Sequence, residues 1–103
     1  MQIIWSERAF IRREAIEDYI LYSFGFEAHA KYVAEINHWK ATVLANPEIG
    51  IKEPILEGLS KDYRSFTIAN QTKCIYYIEN DFIVFVDWWD TRRAITNLKM
   101  GLH

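Results

Sequence analysis

The sequence predicts an α+β domain: an N-terminal strand, a two-helix hairpin, and a three-stranded antiparallel meander in one sheet beneath the helices. Three observations predict it. Residues 7–45 carry apolar side chains at helical spacing, residues 63–89 switch to short runs of Tyr, Phe, Ile, Val and Thr, and Gly25 and Asn46-Pro47 punctuate the helical half. Helices followed by consecutive strands pack as a helix layer on an antiparallel sheet. With 103 residues, half of them hydrophobic and 16% aromatic, the chain makes one domain over 1–103 and can bury a core.

The elements follow in order. "QIIW" reads as a short strand of β-favouring residues. Ser6 suits a helix N-cap because its hydroxyl can accept a free first-turn N–H, and Glu7 suits the positive helix end. Ala9, Ile16, Tyr19 and Ile20 form the inner side of a helix over 7–22, leaving Arg12, Glu14, Glu17 and Asp18 in water. A second helix fits 27–45, with Val33, Ile36, Val43 and Leu44 inward and Tyr32 and Trp39 widening the stripe. Asn46-Pro47 ends it, because proline and the residue before it resist helix continuation.

Residues 51–62, broken by Pro54 and Gly58, read as loop, and strands follow at 63–69, 73–79 and 82–89 with Asn80-Asp81 as the last turn. Strict alternation along the last strand puts Phe82, Val84, Val86 and Trp88 on one face and Ile83, Phe85, Asp87 and Trp89 on the other. Both faces are apolar, so the second face needs a cover. Either the 51–62 segment or the tail supplies it, or a partner protein does.

Charge and composition exclude several classes. No apolar run reaches the roughly 20 residues of a membrane span, and "MQIIWSER" lacks the pattern of a secretory leader. The single cysteine, Cys74, cannot form an internal disulfide and suits a small core position, so a cytoplasmic protein is expected. Twelve basic against 14 acidic residues give a net charge of -2, which supplies no general field for nucleic acid. His29 and His38, nine residues apart on one helix, point in nearly opposed directions, so no metal site is expected there.

Several segments together resemble the RelE/ParE superfamily, the toxins of bacterial type II toxin–antitoxin pairs, also known as plasmid stabilisation proteins. "IIWSERA" resembles the family's strand-to-helix start, "IEDYI" its first helix and "LANPEIG" the end of its second. "YRSFTI" and "KCIYYIENDFIVFVDWWDTRR" resemble its meander and terminal corner. The likeness spans nearly the whole chain. It departs at Arg13, where a leucine is expected, at Lys73, where arginine is usual, at Ile51-Lys52-Glu53, and after Arg93, where Ala94-Ile95 replace a proline.

The resemblance implies a growth-inhibiting toxin without cofactor, neutralised by a cognate antitoxin. Members similar to RelE cut messenger RNA on the ribosome. Such metal-free cleavage needs a base, a proton donor and cations converging on one face. Here that set would be Arg64, Lys73, Tyr76 and Arg92. Members similar to ParE lack the set and inhibit DNA gyrase. The acidic balance favours this protein-targeted class, with ribosome-dependent cleavage, or an inactive remnant that only binds antitoxin, as alternatives. Arg64, Trp89, Asp90, Arg92 and Arg93 are the candidate target-binding residues. Phe10, Ile11, Ile83, Phe85 and Trp89 are the candidate antitoxin-binding residues, with Tyr22, Phe24 and Phe26 as further bulky outer positions of the hairpin.

Overall fold

The computed structural model describes residues 1–91. Strand β1 (Gln2–Trp5) leads through Ser6 into helix α1 (Glu7–Phe24), and Gly25 alone separates α1 from helix α2 (Phe26–Ala45). Strand β2 (Ile51–Lys52), a 3₁₀ turn (Pro54–Leu56), and strands β3 (Arg64–Ile68), β4 (Thr72–Glu79) and β5 (Phe82–Asp90) complete it. The five strands form one mixed sheet in the order β1-β5-β4-β3-β2. The meander is antiparallel, and β1 joins its far side parallel to β5. Strand β2, two residues inside the segment expected to be loop, pairs antiparallel with β3.

The helices cover one face of this sheet. Tyr32, Ile36 and Val43 of α2 pack on Phe66, Ile68, Cys74, Tyr76, Ile83, Phe85 and Trp88. Trp39 stacks on Phe66 at 4.8 Å between ring centroids. The Tyr32 hydroxyl accepts from Trp88 Nε1 (2.9 Å) and donates to Thr72 Oγ1 (3.0 Å), so the polar atoms of this core satisfy one another. Leu44 and Tyr19, expected inside, are exposed, and Arg12, expected in water, is half-buried. On α1 the inner line runs through Ala9, Arg13, Ile16 and Ile20. Arg13 spreads over the Trp5 ring and bonds Glu17, so its aliphatic stem takes the place of a leucine.

The second face has its own smaller core. Leu56, Tyr63, Ile75 and Trp89 are buried together, with Ile55, Leu59, Tyr77 and Val86 against them. The 54–63 segment therefore covers this end of the sheet from within the chain.

Strict alternation fails once, at Val86. Tyr76 pairs with Phe85 and Ile75 with Asp87, so Val86 is one extra residue in β5, a β-bulge. Past the bulge the faces exchange. Trp88 joins Ile83 and Phe85 in the helix-side core, while Trp89 enters the smaller core with Val86. The expected grouping of Trp89 with Ile83 and Phe85 is thereby corrected.

The bulge is held by α1. Ser6 caps the helix by accepting from Ala9 N (3.0 Å), and its hydroxyl donates to Val86 O (2.9 Å). Asp87, fully buried, meets Arg12 Nη1 at 2.7 Å and Arg8 Nη2 at 3.2 Å, and accepts from Trp88 N at 2.8 Å. Replacing Asp87 with alanine would leave two partly buried guanidinium groups without their counter-charge. The expected loss is about 3 kcal/mol, at the low end for a broken buried pair because both arginines keep some water. Urea unfolding measures it.

The core also sets a response to alkali. Burial, with the Asp87 charge second, pushes the Cys74 thiol well above its ordinary value of 9.0. Burial likewise raises the Tyr32 hydroxyl above 10.0, against its hydrogen bonds with Thr72 and Trp88. These folded-state values exceed the unfolded ones, so the stability they contribute is complete below pH 9 and is lost as the pH rises through 9 and 10. Thermal melting is expected to drop above pH 9, and Cys74→Ala is expected to delay the onset.

Candidate functional site

The three described residues of the possible nuclease set, Arg64, Lys73 and Tyr76, do not converge on one face of the sheet. Tyr76 and Lys73 are three apart on a regular strand, so their side chains leave opposite faces of the sheet. Tyr76 is buried on the helix side. Its hydroxyl donates to Pro47 O (2.8 Å) and accepts from Gly50 N (2.9 Å), which ties the turn after α2 to the sheet. A Cβ at Gly50 would lie 2.5 Å from that hydroxyl, so glycine is required by the close approach of the ring. Burial raises the Tyr76 hydroxyl above 10.0, while the Gly50 N–H and the nearby Arg64 charge pull it back.

Arg64 serves the same turn. Its Nη1 donates to Gly50 O (2.8 Å) and Glu48 O (3.0 Å). On the other face Lys73 Nζ meets Glu53 at 2.9 Å, and Ser65 Oγ donates to the same carboxylate at 2.7 Å. Glu53 is buried, and sequence reasoning missed it. It stands in an aperiodic stretch beside Pro54, where no spacing marks an inward carboxylate. Arg64, Tyr76 and Lys73 are thus each bonded to loop or sheet. Arg92 and Arg93 lie outside the described residues.

The expected partner-facing residues divide in two. Ile83, Phe85 and Trp89 are buried by the chain itself and present no surface, which corrects their assignment as antitoxin contacts and that of Trp89 as a target contact. The physical reason is the two-sided cover: helices above Ile83 and Phe85, the 54–63 segment over Trp89. Phe10 and Ile11 are open, at 50% and 54% exposure, as are Tyr22, Phe24 and Phe26. Asp90, one residue past the expected end of the last strand, is the last residue of β5, paired with Thr72.

Asp90 also borders a groove of about 250 Å³ between α1 and the β3–β4 turn. Ile16, Ile20 and Tyr32 form its apolar side, and Gln71, Thr72 and Asp90 its polar one. Ile20, Tyr32 and Gln71 continue it to Phe24 and Lys31 at the hairpin tip. Among the described residues no cluster of three His, Cys, Asp or Glu could hold a metal, and no helix is long and apolar enough to cross a membrane.

The architecture is α+β, two helices on a sheet whose N-terminal strand pairs with its last. A solved structure described as the chromosomal ParDE TA system from P. aeruginosa has the same fold, with a TM-score of 0.68 at 18% identity. The match covers 87% of this chain and 95% of that one. No family model matches the sequence, and no curated protein matches it.

Tyr76→Phe tests the structural reading of this site. The change leaves the buried Gly50 N–H without its acceptor and is expected to lower stability by about 1–3 kcal/mol. Urea unfolding reports that loss.

Proposed function

We propose that this chain is the toxin of a type II toxin–antitoxin pair that arrests growth by binding a protein, with DNA gyrase as the target, and is neutralised by a cognate antitoxin. The fold shared with the ParDE TA structure along nearly its whole length is the observation that carries the proposal. The placement of Tyr76, Lys73 and Arg64 favours protein binding over RNA cleavage. General acid–base cleavage of RNA needs those groups free and facing one substrate, whereas each is bonded to the protein and two stand on opposite faces.

The antitoxin's place in this reading is the open side of α1 with Phe10 and Ile11. An antitoxin segment that orders as it binds needs exposed apolar area to offset its ordering cost. Arg64, Asp90, Arg92 and Arg93 are the proposed target contacts, and the protein acts in the cytoplasm, where its target is.

Induced expression is expected to stop growth, and the purified protein to block gyrase supercoiling while leaving messenger RNA intact. Ribosome-dependent cleavage would overturn the target, and normal growth would overturn the toxin. Phe10→Ser with Ile11→Ser is expected to keep growth arrest but weaken rescue by the co-expressed antitoxin. Arg92→Ala with Arg93→Ala is expected to weaken the arrest.

A further inference from the structure

The outward side of α1 carries a stripe with a definite chemical order. Ile11, Ala15, Asp18 and Tyr22 are spaced by four, three and four residues, so they share one narrow arc of the helix, with Glu14 beside them. All five are exposed, Tyr22 at 95%. Tyr22 lies eleven positions beyond Ile11, about 17 Å along the axis. Beyond Tyr22 the chain turns at Gly25, whose φ of 93° suits glycine, and the corner presents Phe24 and Phe26 at 65% and 83% exposure. The Tyr19 ring meets Phe24 edge-on at 5.9 Å, which steadies this aromatic end.

Charge along the stripe is one-sided. The three arginines of α1 are withdrawn, Arg8 and Arg12 to Asp87 and Arg13 to Glu17 and the Trp5 ring. Glu17 is further engaged by His29. Glu14 and Asp18, and Glu27 past the corner, have no ion pair among the described residues. Lys31, one turn beyond Glu27, is the first Lys or Arg in sequence past the corner. The stripe therefore runs apolar, acidic, apolar.

The geometry points to an occupant of matching order: an amphipathic helix of a partner protein, with apolar anchors about three turns apart and Lys or Arg between them. A second copy of this chain would set Glu14 and Asp18 against carboxylates of its own kind, and an anionic membrane would meet the same repulsion. This deepens the proposed antitoxin docking and takes only the partner's identity from it; the order of the stripe stands on the exposures and charges alone.

Two helical peptides of about 18 residues test it, each with leucines at both ends, one with lysines in the middle and one with glutamates. Fluorescence anisotropy with the whole protein is expected to show the lysine peptide binding at least about tenfold tighter. Glu14→Lys with Asp18→Lys is expected to reverse that preference. Tyr22→Ser is expected to weaken the lysine peptide by about tenfold with no change in the unfolding midpoint. Equal binding of the two peptides, or binding of neither, would overturn the inference. A dimer in sedimentation that Tyr22→Ser dissolves would assign the stripe to a second copy instead, and phosphatidylglycerol vesicle binding lost in that variant would assign it to a membrane. Growth arrest is measured separately, so failure of the toxin reading would leave the peptide result standing, and the reverse.

Discussion

The bulge at Val86 is the constraint on which the rest of the structure hangs. One additional residue in β5 sends Trp88 into the helix-side core and Trp89 into the smaller one, the reverse of strict alternation, and Asp87 beside it meets Arg8 and Arg12 of α1. A carboxylate buried at that point is tolerable only with counter-charge, which Arg8 and Arg12 supply one helical turn apart. Ser6 completes the junction by capping the helix and bonding the bulged residue's carbonyl with the same hydroxyl. The angle at which α1 leaves the sheet, and hence which of its sides stays open, follows from these few contacts.

That geometry also decides where chemistry can occur. With the arginines of α1 drawn in to Asp87 and Glu17, the open side of the hairpin keeps carboxylates and apolar groups. With Tyr76 and Arg64 both bonded to backbone of the 46–50 turn, the meander's polar residues serve as fastenings. A protein built this way has much surface for a partner and no assembled set of catalytic groups among its described residues. Binding and catalysis compete here for the same side chains, and the fold has spent them on structure.

Most of the fold was legible because each element has a local cause. Helical spacing ended by Gly25 and Asn46-Pro47 located both helices to within two residues, and aromatic and β-branched runs located three strands. The bulge was not legible, and the reason is physical. A strand apolar on both faces has no polar marker of parity, so "FIVFVDWW" reads equally well with or without a shift. The error then passed to the candidate site, where Ile83, Phe85 and Trp89 were expected at a surface that the chain covers itself. Phe10 and Ile11 were found open because they leave the inner stripe, a signal that needs only the helix period.

The two tryptophans show how an interior can resemble an interface in sequence. A second apolar face always requires a cover, but sequence cannot say whether the cover comes from the same chain. Here the 54–63 segment brings Leu56 and Tyr63 over Ile75 and Trp89, and Lys73, on the same face, is neutralised by Glu53 instead of reaching solvent as a free cation. The surface left for a partner moves from the sheet to the helices. On a helix, unlike a covered strand, exposure and charge order can be read together, and the acidic centre of the α1 stripe then constrains the partner's charge as firmly as Ile11 and Tyr22 constrain its shape.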